Sequence, residues 1–198
     1  ISVDLFGQPA DHEQIAQLAA ENHLWVINDA AQSFGATYHE QSVLKQGIIS
    51  TTSFFPAKPL GCWGDGGAIF VDDAQLYDKI HSLRTHGQGK DRYSYDRVGI
   101  NGRFDALQAA VIIEKLGIFA EEIQARQRIA DFYNEALGND VITPLIQGDR
   151  TSVFAQYTIR VRGDERAQLQ SDLQKKGVPS VIYYPKPIHL QPAYQKFP

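Results

Sequence analysis

The presence of both helical segments and short apolar strands is the feature that most constrains how this chain can fold. Residues 11–22 carry apolar side chains at helical spacing, and the run HLWVI at 23–27 follows directly as a buried strand. The runs IISTTSFF at 48–55 and AIFV at 68–71 predict two further strands, because both are rich in β-branched and aromatic residues. Residues 73–84 predict the next helix. A chain that contains both kinds of segment is expected to have an α/β fold.

The middle of the chain combines a long loop with two helices. Residues 86–100 are polar, contain glycine and show no periodicity, which predicts a loop of a length that is usually functional. Strong helix formers then predict helices from Asp105 to about Leu116 and from about Ala120 to Leu137. We expect both helices to be long and partly buried.

The pattern changes after Asn139. An alternating strand is predicted over 152–161, an amphipathic helix over 165–176 and another strand over 178–184. This β-α-β order predicts the start of a second, smaller domain. The predicted domains are therefore residues 1–140 and residues 141–198.

Composition and charge exclude several classes of protein. Hydrophobic side chains make up 43% of the 198 residues, enough for a packed core, and the net charge of −4 supplies no basic surface for nucleic acid. No run approaches the ~18 apolar residues of a membrane span. One cysteine cannot form an internal disulfide, and the six scattered histidines do not predict a metal site. We therefore expect a cytoplasmic protein with no nucleic acid, membrane or metal partner.

The sequence contains no methionine, not even an initiator. It opens on an apolar run that suits the inside of a strand, and its end, PAYQKFP, forms no recognisable terminal element. We therefore expect the chain to be part of a longer polypeptide.

Asp29 is the first candidate for a functional side chain. It follows the buried strand predicted at HLWVI, and open α/β sheets bind ligands at the carboxyl ends of their strands. The same position would suit a carboxylate that caps a helix or satisfies a turn. Position alone leaves both roles open.

Lys58 is the second candidate. It lies between SFFPA and PLG, where two prolines and apolar groups hold a long cationic side chain in a stiff context. A partly desolvated lysine amine is a nucleophile suited to Schiff-base formation. The alternative is a lysine whose stem merely covers the neighbouring aromatic rings.

An aspartate at a strand end and a lysine on a later loop form the pair that pyridoxal phosphate requires. The lysine amine binds the cofactor covalently, and the carboxylate keeps the pyridine nitrogen protonated. Thr52, Ser53 and nearby backbone N–H groups are candidates for contacts to the phosphate oxygens. By itself the spacing is a weak signal of such a site.

Four longer motifs are similar to those of a known family. They are NDAAQSFGATY at 28–38, TTSFFPAKPLGCWGDGGAIF at 51–70, VGINGRFDALQAAV at 98–111 and YYPKPIHLQPAY at 183–194. In this order the chain resembles the DegT/DnrJ/EryC1/StrS sugar aminotransferases over essentially its whole length. The resemblance implies a fold type I aminotransferase, here part of the large α/β/α domain that binds pyridoxal phosphate and the start of a small α/β domain.

The resemblance also implies roles for individual residues. Lys58 matches the Schiff-base lysine, and Asp29 matches the carboxylate at the pyridine nitrogen. Gln32 matches the amide that contacts the phenolic-oxygen face of the cofactor, and Ser53 matches a phosphate ligand. Asn101 would reach the cofactor phosphate of the neighbouring subunit, which implies a homodimer with shared active sites.

Substrate contacts are implied for Arg103, Tyr183 and His189, which would bind an acidic nucleotide sugar. The alternatives are an ion pair between Arg103 and Asp105, and packing of Tyr183 within a strand. The FFPAKPLG, GDGG and GINGR motifs are most similar to those of enzymes that aminate the 3-keto group of a UDP-linked 2-acetamido sugar or uronic acid for surface polysaccharide synthesis.

The reaction implied by the resemblance is a two-stage transamination with glutamate as the expected amino donor. Lys58 would act as anchor and as the base that moves a proton. Lysine at this position speaks against the dehydration performed by relatives that have histidine there. Family members are nearly twice as long as this chain, so we expect this piece alone to be inactive.

Two other functions are alternatives to this one. A catalytically silent member that binds cofactor or a partner as a regulator is disfavoured by the intact set of Asp29, Gln32, Ser53 and Lys58. The remoter alternative is another enzyme with a cofactor-bound lysine, such as a desulfurase or aldolase. Cys62 could serve a desulfurase, but its apolar surroundings favour buried packing.

Overall fold

The structure, a computed structural model, describes residues 1–138 and 140–196. The strands are β1 (Ser2–Val3), β2 (Ile27–Asp29), β3 (Thr37–Tyr38), β4 (Gln41–Ser42), β5 (Ile49–Ser53) and β6 (Gly67–Phe70). The helices are α1 (His12–Glu21), α2 (Ala74–Arg84), α3 (Ala106–Leu116), α4 (Phe119–Leu137) and α5 (Arg166–Lys175). Helix α1 lies between β1 and β2, and strands β2 to β6 all precede α2.

Strands β1, β2, β5 and β6 form a four-stranded sheet in that order. The first three run parallel and β6 is antiparallel to β5, while β3 and β4 form a separate antiparallel pair. Asn28 lies opposite Ser50, and Asp29 lies opposite Thr51. Because side chains alternate along a strand, Asn28 and Ser50 share one face of the sheet, whereas Asp29 and Thr51 share the other. The carboxyl ends of β2 and β5 lie at the same edge.

The five predicted helices form within one residue of their predicted limits. Two of them begin at aspartate caps: Asp11 accepts a hydrogen bond from the N–H of Gln14 at 3.2 Å, and Asp73 accepts one from the N–H of Leu76 at 2.6 Å. None of the helices in the described residues has both the length and the apolar character needed to cross a bilayer.

The strand predicted at 23–27 is wrong in position, because strand β2 covers Ile27–Asp29. Helix α1 ends in a left-handed turn: His23 has a φ of 53°, and the N–H of Leu24 donates to the carbonyl of Ala19 at 2.8 Å. This helix stop occupies the first half of HLWVI and leaves Trp25 exposed. The strand therefore begins late, with Asp29 as its last residue.

The strands predicted at 152–161 and 178–184 do not form in the described residues. Phe154 has a φ of 44°, which interrupts the extended alternation that the first prediction assumed. Residue Arg160 pairs only as an isolated bridge with Ile142. In the other segment, the N–H of Val178 closes helix α5 by donating to the carbonyl of Leu173 at 2.9 Å. Alternating sequence is not sufficient where no neighbouring strand is available.

Contacts divide the chain into two units. The first is Ile1–Gly138 with Thr143–Thr158, and the second is Asn139–Ile142 with Ile159–Pro198. The segment Thr143–Thr158 thus packs with the first unit, which differs from the predicted boundary between residues 140 and 141. The reason is Val153, which is fully buried in a cluster of the first unit with Ala30, Ala36 and Val43.

A second cluster of the first unit lies around the chain that follows β5. It consists of Phe54, Leu60, Cys62, Ile112 and Phe119. The thiol of Cys62 is buried and donates to the carbonyls of Phe54 at 3.0 Å and Gly64 at 3.1 Å. The prediction that Cys62 serves packing is therefore confirmed. This cluster supports the segment that carries Lys58.

Removing the Leu60 side chain is expected to destabilise the first unit. Leu60 is only 1% exposed, so Leu60→Ala leaves a cavity in this cluster and is expected to lower the free energy of unfolding by about 2 to 5 kcal/mol. The matched control is Leu18→Ala on α1, where the side chain is 60% exposed, with an expected loss below about 0.5 kcal/mol. Urea unfolding of the intact protein measures both, and equal losses would contradict the assignment of Leu60 to the core.

A buried polar network lies on the opposite face of the sheet from Asp29. Its centre is the carboxylate of Asp4, which is completely buried. Asp4 Oδ1 accepts from His12 Nε2 and from the N–H of Ala10, both at 2.9 Å. Burial raises the pKa of Asp4, but the hydrogen bonds from His12, Ala10 and Ser33 together hold this pKa below its ordinary value of 3.8. Asp4 is therefore a buried carboxylate that stays ionised.

The lowered pKa of Asp4 predicts a pH dependence of stability. The folded chain binds this proton less readily than the unfolded chain, so the stabilisation is complete above about pH 5 and is lost as the pH falls through the folded pKa. The difference in urea midpoint between wild type and Asp4→Asn is therefore expected to be large at about pH 7 and to shrink toward about pH 3. A difference that stays constant over this range would show that the Asp4 charge does not contribute.

Candidate active site

Three predicted site residues lie at the carboxyl ends of the parallel strands or shortly after them in the chain. Asp29 ends β2 and Ser53 ends β5, and the register places both on the same face of the sheet. Lys58 lies five residues beyond Ser53, on the segment that leaves this edge. The parallel pairing therefore places a carboxylate, a hydroxyl and the segment of the candidate lysine at one edge of the sheet. Open α/β sheets bind their ligands at this edge.

One carboxylate oxygen of Asp29 satisfies a turn, which is one of the two roles predicted for this residue. Its Oδ1 accepts a hydrogen bond from the N–H of Ala31 at 3.0 Å and so caps the turn after β2. Within residues 1–138 and 140–196, no other hydrogen bond or ion pair of this carboxylate is present. The turn therefore fixes the orientation of the carboxylate and leaves Oδ2 available to a ligand.

Gln32 is buried at the end of the same turn. Its Oε1 accepts from the N–H of Phe6 at 2.6 Å, which fixes the orientation of the amide. The Nε2 group makes no hydrogen bond to the part of the chain that is described. An oriented N–H donor without a protein acceptor is what the predicted contact to a phenolic oxygen requires.

The two hydroxyl groups considered for phosphate binding differ in their surroundings. Ser53 Oγ is half-buried and accepts from the N–H of Phe55 at 3.2 Å, which leaves its own O–H free to donate. Thr52 points to the opposite face, is buried, and donates to the carbonyl of Ala30 at 3.2 Å. Thr52 is therefore a structural residue, whereas Ser53 remains available for a ligand.

Lys58 lies on a segment with a fixed backbone and has a free amine. Its N–H closes a turn by donating to the carbonyl of Phe55 at 2.8 Å, and its side chain is half-buried. Among the described residues, Lys58 Nζ forms neither a hydrogen bond nor an ion pair. An amine without a protein partner on a rigid turn fits the predicted role of a nucleophile.

Helix α3 secures the segment that follows Lys58 at two points. Lys115 Nζ donates to the carbonyl of Gly61 at 2.6 Å, and Gln108 Oε1 accepts from the N–H of Trp63 at 2.8 Å. Gly61 lies so close to the preceding chain that a Cβ atom there would come within 2.7 Å of the Pro56 carbonyl oxygen and 2.8 Å of that of Phe55. The segment therefore folds back on itself, and glycine is required where it closes.

Asn101 and Arg103 form a small exposed pair. Asn101 Oδ1 accepts from Arg103 Nε at 3.1 Å, and Asn101 pairs as an isolated bridge with Thr85 at the end of α2. The alternative ion pair between Arg103 and Asp105 is absent from the described residues. The pair therefore stands on the surface of the first unit with its remaining donors directed at no protein group.

Tyr183 and His189 both belong to the second unit. Tyr183 is exposed and packs edge-on against Tyr184, with the ring centroids 5.3 Å apart. His189 is exposed in a short 3₁₀ turn, Ile188–Leu190. The alternative of strand packing for Tyr183 is not met, because no strand forms there, and substrate contact stays a prediction for both residues.

The sequence patterns did not predict the two residues, Asp4 and Phe6, that hold the turn after β2. Asp4 and Phe6 precede α1 and contact the turn that carries Gln32, through Ser33 and through Gln32 itself. The available signal was an aspartate within the apolar run ISVDLF, where a charge is costly unless it is paired. The described residues contain no group of three or more His, Cys, Asp or Glu side chains that could hold a metal ion.

Comparisons with known proteins show which family this chain is similar to. The model of the DegT/DnrJ/EryC1/StrS aminotransferase family matches residues 1–198. The UDP-2-acetamido-2-deoxy-3-oxo-D-glucuronate aminotransferase of Pseudomonas aeruginosa is 47% identical over 194 residues, which cover 98% of this chain and 53% of that protein. A DegT DnrJ EryC1 StrS aminotransferase from Brucella abortus has 47% identity and a TM-score of 0.94, covering 98% of this chain and 52% of that one.

A third similar protein is NtdA from Bacillus subtilis, whose structure contains the bound cofactor PMP. It has 30% identity and a TM-score of 0.88, covering 98% of this chain and 45% of that one. The chain thus spans about half the length of the curated relatives it matches. The predicted family and the predicted aminotransferase fold are both confirmed. The chain belongs to the DegT/DnrJ/EryC1/StrS aminotransferase family.

Proposed function

We propose that the protein is a pyridoxal-phosphate-dependent transaminase that aminates the keto group of a nucleotide-linked sugar. The observation that carries this proposal is that, among the residues the structure describes, Lys58 Nζ and Asp29 Oδ2 have no protein partner, with Lys58 on a hydrogen-bonded turn beyond the sheet edge where Asp29 lies. The family match and the cofactor bound to NtdA support the same function. PMP is the amino form of pyridoxal phosphate.

The residues present fit pyridoxal phosphate. Asp29 and Gln32 each keep one polar atom without a protein partner in the described residues, and these two atoms have opposite character: an acceptor for a protonated ring nitrogen and a donor for a phenolic oxygen. Ser53 offers an O–H for a phosphate oxygen. When bound, the cofactor supplies an electron sink for the carbanion that forms at the substrate carbon.

In this proposal each side chain has a defined role. Asp29 Oδ2 would hold the proton on the ring nitrogen, and Gln32 Nε2 and Ser53 Oγ would orient the ring and its phosphate. Lys58 Nζ would anchor the cofactor covalently and, once released, would serve as the base that moves a proton. The turn contacts of Asp29, Gln32 and the Lys58 backbone would keep these groups in place.

The proposed acceptor is a UDP-linked 2-acetamido-3-keto sugar or the corresponding uronic acid, and the proposed amino donor is glutamate. The 47% identity to a UDP-2-acetamido-2-deoxy-3-oxo-D-glucuronate aminotransferase supports this choice. Arg103, Tyr183 and His189 are proposed to bind the acidic nucleotide sugar through their exposed donors. The product would serve surface polysaccharide or lipopolysaccharide synthesis in the cytoplasm, where the free thiol of Cys62 would stay reduced.

We further propose a homodimer in which Asn101 reaches the cofactor phosphate of the neighbouring subunit. Exposed apolar side chains flank Asn101 in the sequence: Val98 is 98% exposed and Leu107, at the start of α3, is 83% exposed. Apolar side chains this exposed around a polar residue are typical of an interface between subunits. The pairing of Asn101 with Arg103 would orient both residues toward the partner.

A catalytically silent regulator is the alternative that the sequence left open. A protein that only bound the cofactor would not need a lysine amine that can act as a base. The retention of Lys58 and Asp29 therefore favours the enzyme, and no contact in the described residues blocks either group.

Lys58 is expected to be indispensable. In the intact protein, Lys58→Ala is expected to lower the rate of glutamate-dependent transamination by at least roughly 10³-fold, because both the covalent anchor and the base are lost. Borohydride reduction followed by peptide mapping should attach the cofactor to Lys58 in the wild type and to no residue in the variant. The matched control is Lys79→Ala on the exposed surface of α2, which should retain activity and labelling. Normal turnover by Lys58→Ala would refute the mechanism.

Shared active sites predict complementation between two inactive variants. Lys58→Ala and Asn101→Ala are each expected to be impaired, but a mixed dimer rebuilds one site that has both residues intact. Equal amounts of the two chains, unfolded and refolded together, should therefore recover about one quarter of the wild-type rate. Mixing Lys58→Ala with Lys58→Arg is the control and should recover nothing. No recovery in the first mixture would place Asn101 outside a shared site.

A further inference from the structure

The carboxylate of Asp4 has more hydrogen bonds than a purely local role would require. Besides His12 and Ala10 at Oδ1, its Oδ2 accepts from Ser33 Oγ at 2.7 Å and from Asn28 Nδ2 at 3.2 Å. The four donors come from three separate segments of the first unit: the start of α1 with the residues before it, strand β2 and the turn after it. Asp4 therefore joins all three segments through one carboxylate.

Two of these four donors stand next to the proposed cofactor ligands. Asn28 directly precedes Asp29, and Ser33 directly follows Gln32. Asn28 points to the buried face of the sheet. Because side chains alternate along a strand, a hydrogen bond that holds the Asn28 side chain also holds Asp29 on the opposite face. Holding Ser33 fixes the far end of the turn that begins at Asp29.

The backbone around Asp4 holds the same two ligands. The N–H of Asp4 donates to the carbonyl of Asp29 at 3.1 Å, and the N–H of Phe6 donates to Gln32 Oε1 at 2.6 Å. One short segment, residues 4–6, therefore contacts Asp29 and Gln32 directly through its backbone and their neighbours through the Asp4 side chain.

We propose that Asp4 is a positioning residue that holds Asp29 and Gln32 at the correct separation and orientation for the cofactor. It acts from the buried face of the sheet and touches neither cofactor nor substrate. This inference rests on the proposed function for the roles of Asp29 and Gln32, although the coupling itself is a property of the polypeptide.

An ionised carboxylate is needed for this role because it accepts at both oxygens. In Asp4→Asn one carboxylate oxygen becomes an NH2 group of nearly the same size. This NH2 group then faces two groups that donate to Asp4 in the wild type. Either the pair at Oδ1 or the pair at Oδ2 then loses its acceptor. The variant therefore changes hydrogen bonding with little change in volume.

The experiment uses the intact protein and four chains: wild type, Asp4→Asn, Ser33→Ala and the control Ser50→Ala. Ser33→Ala removes one of the four donors and leaves the charge paired, so it remains informative if Asp4→Asn fails to fold. Ser50 is as buried as Asp4 and lies on the same face of the sheet, but its hydroxyl donates to the Gln46 carbonyl at 2.8 Å and not to Asp4. The control therefore measures the effect of losing a buried hydroxyl alone.

Two readouts are compared. The first is amide hydrogen exchange in the cofactor-free protein at Phe6, Ala31 and Ser33, which is expected to accelerate about tenfold or more in Asp4→Asn and Ser33→Ala but not in Ser50→Ala. The second is the Kd for pyridoxal phosphate, which is expected to rise about tenfold in the same two variants while Ser50→Ala stays within about twofold of wild type.

The outcomes separate this inference from the proposed function. Wild-type exchange at the three amides and wild-type Kd in Asp4→Asn and Ser33→Ala would overturn the positioning role, as would equal effects in Ser50→Ala. If wild type itself failed to bind pyridoxal phosphate, the proposed function would fall, while the exchange data would still decide whether Asp4 orders the turn from Asp29 to Ser33.

Discussion

The parallel pairing of β2 with β5 is the constraint on which the candidate site depends. This register sets Asp29 opposite Thr51, so that the ends of both strands, and with them Asp29 and Ser53, lie at one edge and on one face. A shift of one residue would exchange the faces and bury Asp29 where Asn28 now lies. The buried Asp4 network opposes such a shift, because Asn28 can meet the carboxylate only in the present register. Sheet geometry and polar network thus specify the same arrangement.

Local signals in the sequence were sufficient for the helices. Their limits follow from capping residues such as Asp11 and Asp73 and from apolar spacing, which are properties of a few adjacent residues. Three strand predictions were wrong, at 23–27, 152–161 and 178–184. The left-handed residue His23 ends α1 inside HLWVI, and the positive φ of Phe154 interrupts the extended chain at 152–161. At 178–184, Val178 instead closes helix α5. A strand also needs partners that are distant in sequence, and a local pattern does not reveal them.

The sequence predicted the candidate reactive residues of the site but did not predict Asp4, which contacts their neighbours in the chain. Asp29, Gln32, Ser53 and Lys58 lie within motifs that are legible along the chain, and Asp29, Gln32 and Lys58 each keep a polar atom without a protein partner in the described residues. Asp4 instead acts through donors 6 to 29 residues away, a set that appears only when the chain is folded. Thr52 was a candidate phosphate ligand by its residue type. The pleat of β5 instead turns its hydroxyl to the opposite face, where it donates to the Ala30 carbonyl.

The closed segment from Phe55 to Gly61 has a consequence for how such a protein can diversify. Its backbone is determined by turns, by the glycine at its closure and by the contacts from α3, and none of these involves the side chain at position 58. The residue carried there can consequently be exchanged without remodelling the scaffold. A single substitution at position 58 would therefore alter the chemistry that this segment offers while its backbone stays the same.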